Sequence, residues 1–116
     1  MKILNLSNHT LTEQQMIELQ EKGYKVIELD QEDKTAWGQL TPHNYKEITN
    51  RIFDKYDVNA FHTAGFPAGV NYAVDLARKL NKQSFYSFSV RNCVEKKQGG
   101  VVLKNYIFKH EGFFEY

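Results

Sequence analysis

Val58-Asn59-Ala60-Phe61-His62-Thr63-Ala64-Gly65-Phe66-Pro67-Ala68-Gly69 decides how this chain is read. A short apolar run ends in a polar pair, passes through a glycine loop and opens a segment with Tyr72, Ala73, Leu76, Ala77 and Leu80 at helical spacing. That is a βα unit, and βα units repeat in parallel sheets covered by helices. The N-terminus shows the same arrangement, with Ile3-Leu4-Asn5-Leu6 running into Ser7-Asn8-His9-Thr10 and a further helical pattern. In an open α/β sheet the loops at the carboxyl ends of parallel strands line one crevice, and the helix N-termini behind them offer unpaired N–H groups to anions. Both loops predict a phosphate-bearing ligand.

Working outward, Lys2 to Leu6 reads as the first strand, and either Thr10 or Thr12 can cap the helix that follows, since Thr10-x-x-Glu13 and Thr12-x-x-Gln15 both fit a capping box. Leu11, Met16 and Leu19 form its apolar face, Gly23 ends it, and Tyr24 to Leu29 gives a second strand. Asp30 to Leu40 is a polar stretch without a predicted element. Thr41-Pro42 reads as N-cap and first helical residue of a helix that buries Tyr45, Ile48, Ile52, Phe53 and Tyr56. Val58 to His62 is the third strand, and Asn81 ends the helix behind it. Ser84 to Ser89 reads as a fourth strand, followed by Val90 to Lys97 and Val101 to Lys109 as two strands about Gln98-Gly99-Gly100. The expected architecture is one α/β domain with a Rossmann-type, mainly parallel sheet, flanking helices and a C-terminal β-hairpin.

The chain has 116 residues, which suits one domain with its own core. Fifteen basic residues against 14 acidic ones leave a formal charge of +1, too little for a broad face that binds long nucleic acid by counterion release. Cys93, the sole cysteine, has no disulfide partner within the chain, which fits a reducing compartment. The first residues are too short an apolar run for a signal segment or a membrane span, so the expected location is cytoplasmic.

Gly65-Phe66-Pro67-Ala68-Gly69 lacks the lysine and hydroxyl of a Walker loop and the three-glycine spacing of a dinucleotide fingerprint. His9, His43, His62 and His110 form no metal-ligand pattern, so neither a metal nor a cofactor is expected. No Gly-x-Ser-x-Gly elbow is present. Spacing alone leaves two readings of the glycine loop: a phosphate cradle, or a turn in which Gly65 and Gly69 permit the bend and close helix packing. The polar His62-Thr63 pair favours the cradle. Residue patterns by themselves lead to an α/β domain binding a small phosphorylated ligand.

The N-terminal Leu6-Ser7-Asn8-His9-Thr10-Leu11-Thr12-Glu13-Gln14-Gln15 resembles a family of small stand-alone CRISPR-associated proteins of type III systems. So do the central Gly65-Phe66-x-Ala68-Gly69-x-Asn71-Tyr72-Ala73 and the C-terminal Arg91-x-x-Val94-Glu95 with Ile107-Phe108-Lys109-His110. That family is related to the CARF sensor fold and linked to ring-nuclease activity. Phe66-Pro67-Ala68-Gly69 departs from the family's Asp-Phe-Gly-Ala-Thr-like run, and Asn92 stands in place of a glutamate.

The resemblance implies a homodimer whose two CARF-like sheets form a symmetric pocket for a cyclic oligoadenylate, with cyclic tetra-adenylate suiting two-fold symmetry. It implies metal-independent cleavage by the ribose 2′-OH, with sequestration by a sensor or sponge as the alternative. His9, His62, Thr63 and Arg91 are the expected catalytic residues, with the histidines assisting proton transfer and Arg91 clamping phosphate. Asn8, Thr10, Gly65, Phe66, Pro67, Ala68, Gly69, Asn71 and Ser87 are the expected ligand-binding residues. Gly65→Val is expected to weaken binding with little effect on the fold.

Overall fold

The computed structural model describes the backbone of all 116 residues and the side chains of residues 1–90, 99–102 and 109–116. Arg91, Asn92, Cys93, Tyr106 and Phe108 lie outside the residues whose side chains are described. The element order is β1 (Lys2–Leu6), α1 (Glu13–Glu21), β2 (Lys25–Glu28), α2 (Gln31–Gly38), α3 (Tyr45–Lys55), β3 (Ala60–Thr63), α4 (Pro67–Lys79), β4 (Gln83–Gln98) and β5 (Val101–Glu115). One five-stranded sheet has the order β2-β1-β3-β4-β5, parallel throughout except for β5, which runs antiparallel to β4.

This order contains one reversal. The chain steps from β1 to β2 in one direction, then crosses back over β1 to β3 and continues to β4. Right-handed crossovers put helices on opposite faces when the direction of winding reverses. Accordingly, Ile3, Leu11, Leu19, Tyr24, Ala60 and Phe113 pack together on the α1 face, whereas Leu4, Leu6, Trp37, Ile52, Phe61 and Ala77 join a larger cluster on the face covered by α2, α3 and α4. Phe53 stacks on Phe61 at 4.3 Å between centroids.

Local chemistry explains the element ends. Thr12, not Thr10, caps α1: its hydroxyl accepts from Gln15 N–H while the Gln15 side chain returns to Thr12 N–H. Gly23, at φ +88°, closes the helix, with Gly23 N–H on Gln20 O and Tyr24 N–H on Leu19 O. Asn81, at φ +56°, plays the same part after α4. Thr41-Pro42 forms a turn, and the helix begins only at Tyr45, since Asn44 and Tyr45 N–H groups both return to Thr41 O.

Two further expectations are corrected. Asp30 to Leu40 contains a helix, α2, capped by Asp30 through Asp33 N–H at 2.9 Å. Its apolar content is too low for a visible stripe, because Trp37 supplies most of the burial: the ring is 1% exposed and Nε1 donates to Ala64 O at 2.8 Å. Asp33, 2% exposed, accepts from Lys55 Nζ at 2.9 Å, Tyr56 Oη at 2.8 Å and Arg51 at 3.3 Å, and so ties α2 to α3. Lys55 also pairs with Asp30 and holds that carboxyl below its ordinary range.

The second correction concerns the end of the chain. The separate strands expected at Ser84 to Ser89 and Val90 to Lys97 are one strand, β4, because no residue between them breaks an extended backbone. Residues 110–115, without a predicted element, prolong β5 back to Phe85. Gly99 at φ +58° and Gly100 at φ +79° supply the two left-handed residues that a two-residue hairpin turn needs.

Trp37→Ala is expected to cost ~3–5 kcal/mol, and Trp37→Phe, which keeps most of the ring volume but strands the Ala64 carbonyl, about 1–2 kcal/mol. Urea unfolding of both variants at one protein concentration checks the order; equal costs would remove the indole hydrogen bond from the account.

Candidate functional site

The single reversal lies between β1 and β3, and their carboxyl ends carry the two loops singled out in the sequence. In open sheets with this strand order, ligands bind at that switch point. Its floor is set by Asn5, a polar residue in the middle of an otherwise apolar strand and 1% exposed. Asn5 Nδ2 donates to His9 O at 2.9 Å and to Glu28 Oε2 at 3.1 Å, and Oδ1 accepts from Ser7 Oγ at 2.8 Å. His62 Nδ1 lies 2.9 Å from the same oxygen. An acceptor on Asn5 requires the proton on His62 Nδ1, which leaves Nε2 as a lone pair. That Nε2 is buried and has no protein partner.

Burial pushes the His62 imidazole down to about 4 from an ordinary 6.5, with the fields of His110 and His9 acting in the same direction. His62 is therefore neutral at pH 7. It packs edge-on against Phe113, whose other neighbour is His110. A bulge in β5 arranges this corner. Phe88 pairs with Gly112 and Ser89 with His110, so Glu111 is the extra residue and His110 turns to the α1 face. There Glu18 accepts from His110 Nε2 and from Phe113 N–H. Burial alone would raise the Glu18 carboxyl, but these two donors together with the fields of His110 and Lys22 hold the group below its ordinary range.

The expected His62-Thr63 pair does not act as a pair, because neighbours on a strand face opposite sides of the sheet. Thr63, fully buried, lies on the side of α4 with an unpartnered Oγ1, and its carbonyl accepts from Tyr116 Oη. Ser87 is in register with Phe113 on the α1 side, while Asn71 is exposed on α4 across the sheet. The structure does not bring those two together. His9 and Thr10 are exposed, and so is Asn8, whose amide lies over Gly38 at the end of α2.

The packing reading of the glycine loop is visible in its geometry. A side chain at Gly65, φ +146°, would meet Trp37 Nε1 at 3.0 Å, and one at Gly69 would meet Leu40 Cδ1 at 2.6 Å. Both glycines admit α2, so Gly65→Val disturbs packing and does not isolate ligand binding. At the same time Phe66 precedes α4 without any side-chain cap, and Pro67 occupies its first turn. Pro67 has no N–H, which leaves those of Ala68 and Gly69 as donors without helical partners. Four exposed rings on β4, on β5 and just past it form a group that reaches the end of β3 through the Tyr116 Oη bond to Thr63 O. Tyr86 lies 5.9 Å from Phe114 and 5.1 Å from Tyr116, and Phe88 lies 6.3 Å from Phe114. Asn5, Trp37 and this aromatic group escaped the sequence-based site; an asparagine inside an apolar strand was the available signal for the first.

A concavity of about 430 Å³, lined by Met1, Lys2, Lys25 and Asp57 to Asn59, opens at the amino-terminal edge, away from both loops. Among the described residues no three His, Cys, Asp or Glu side chains cluster to hold a metal ion. Among the described residues no helix is long and apolar enough to cross a membrane.

The fold is an open, doubly wound α/β domain whose strand order reverses between β1 and β3. The chain belongs to the family described as the uncharacterized protein MJ1673 family, whose model matches residues 1–114. No curated protein and no solved structure matches it.

The depressed His62 value gives a signed pH dependence. Its contribution to stability is complete above about pH 6.5 and is lost as pH falls toward about 4, by on the order of 3 kcal/mol. Urea midpoints between these limits should fall for the wild type and fall less for His62→Gln, with Glu18 contributing the remaining acid limb. Parallel curves for the two proteins would contradict the buried neutral imidazole.

Proposed function

We propose that this protein binds a cyclic oligoadenylate, cyclic tetra-adenylate above all, and opens the ring as a nuclease of type III CRISPR signalling. The observation that carries the reading is the carboxyl edge, where α4 starts without a side-chain cap and a group of four exposed rings reaches the end of β3 through the Tyr116 Oη bond to Thr63 O. Phosphate and base are the two chemistries such features recognise: N–H donors at a helix start suit a phosphate, and exposed ring faces suit stacked bases. The sequence resemblance supplies the cyclic messenger, the two-fold pocket and the CRISPR setting.

In the proposed reaction a ribose 2′-OH attacks the adjacent phosphorus, its proton departs, and the bond to the 5′-oxygen breaks as that oxygen takes up a proton. The products end in a 2′,3′-cyclic phosphate and a 5′-hydroxyl. The protein holds the 2′-OH in line and stabilises phosphoryl charge with the Ala68 and Gly69 amides and Arg91. His9 is exposed and free to move a proton, whereas His62 offers only the Nε2 lone pair, in a setting that opposes imidazolium formation. That enclosure favours a second reading, retention of the ring without cleavage.

Purified protein incubated with cyclic tri-, tetra- and hexa-adenylates in EDTA separates the two by chromatography. Cleavage predicts cyclic-phosphate ends, loss of cutting when every 2′-OH is replaced by hydrogen, and a rate about a hundredfold lower in His9→Ala or His62→Ala, whichever transfers the proton. Intact ring held at a one-to-one ratio with the dimer supports sequestration, and absence of binding to every ring rejects both. Thr63→Ala should weaken binding while Tyr116→Phe, which removes only the bond to Thr63 O, separates the loop's position from the threonine hydroxyl.

A further inference from the structure

The pairing of β3 with β4 ends at Phe85, yet β4 runs on to Gln98 with β5 as its strand neighbour. This length of strand spans roughly 40 Å and leaves the sheet at its carboxyl edge. The radius of gyration is accordingly 17.0 Å, against about 13 Å for a compact chain of this length. A two-stranded ribbon is marginal by itself in water and requires a packing partner. By sequence, residues 90–109 are rich in Val, Leu, Ile, Tyr and Phe, and they hold five basic residues against one acidic. The rest of the chain holds 10 basic against 13 acidic. The arm is thus basic and apolar, the body acidic.

We propose that the β4–β5 arm lies along the outer face of α1 in a second copy of this chain, with the exchange reciprocal about a two-fold axis. Helix α1 is the one helix on its face of the sheet and carries Glu13, Ile17 and Glu21 on a single exposed stripe, with Ile17 46% exposed. An apolar side chain between carboxylates matches a ribbon of valines and lysines. The charges of arm and body are opposite, so each copy complements the other, and an isologous contact uses that complementarity twice. This deepens the two-fold reading above by naming its interface, and it rests on that reading only for the presence of a second copy.

The test compares three proteins by light scattering and sedimentation across micromolar concentrations, without any nucleotide. The first is the full chain; the second has its arm shortened by removal of residues 92–97 and 102–107, which keeps the Gln98 to Val101 turn and the alternation of both strands; the third is Ile17→Lys. The full chain should be a dimer that weakens between 0.05 and 1 M salt, as screening of about 3 Å at 1 M requires. The shortened chain should be a monomer that keeps the helical far-UV circular dichroism and cooperative unfolding of the body, and Ile17→Lys should weaken association at least tenfold. A monomeric full chain, a dimeric shortened chain, or undiminished association of Ile17→Lys overturns the proposal. A full-length monomer that binds single-stranded RNA through the arm overturns it in favour of a nucleic-acid partner. Ring cleavage is read separately, so a dimer without nuclease activity leaves this interface standing, and nuclease activity in a shortened dimer refutes the interface alone.

Discussion

One side-chain amide organises the carboxyl edge. Asn5 sits in the second most central strand position, where water is absent and every donor and acceptor must find a protein partner. It does so by joining three parts of the chain: the loop after β1 through His9 O and Ser7 Oγ, β2 through Glu28, and β3 through His62. With all its hydrogen-bonding capacity used, Asn5 fixes its own orientation and the tautomer of His62 together. A residue of the same size without polar atoms would leave the imidazole Nδ1–H buried and unpaired, at a cost set by desolvation rather than by the bond itself.

The opposite face of the sheet depends on an aromatic wedge. Trp37 enters between the β3–α4 loop and the core, and the glycines at positions 65 and 69 exist in contact with it and with Leu40. Loop position and α2 position are consequently one variable. Any ligand held by the amides at the start of α4 is positioned by Trp37 as well, although the indole itself faces the core. Asp33 secures the same helix from its other end through Lys55, Arg51 and Tyr56.

The last third of the chain combines a bulge, an exposed aromatic group and a long two-stranded ribbon. The bulge at Glu111 lets one strand show different faces along its length, so that Phe113 and His110 bind the α1 side while Phe114 and Tyr116 keep their rings outward with Tyr86 and Phe88. Exposed aromatics tied to the end of β3 by Tyr116 and a ribbon that continues β4 and β5 both lie toward the carboxyl edge of the sheet. In a compact monomer of this size so much apolar surface is uncommon.

Much of the fold was legible in the sequence because period and punctuation agree there. Lys2 to Leu6 alternates between two buried faces, the Ile48, Ile52 and Tyr56 spacing has the helical period, and Gly23, Asn81 and Gly99-Gly100 stand where left-handed backbone is required. The two loops that flank the reversal were legible for the same reason. Helix α2 was not, since its one large apolar side chain gives no periodicity and its stability comes from Ala64, Lys55 and Tyr56, residues distant in the chain. Nor could sequence separate the roles of His62 and Thr63: adjacency in the chain suggested a shared task, and the pleat of β3 sends them to opposite sides. The continuation of β5 past Lys109 and the turn of His110 toward Glu18 depend on a bulge that only cross-strand register defines. Local propensity, set by neighbouring residues, was the sequence's to determine. Which buried polar atoms meet was decided in tertiary structure, because Glu28 and His62 for Asn5, Ala64 for Trp37 and His110 for Glu18 come from parts of the chain that the linear order keeps apart.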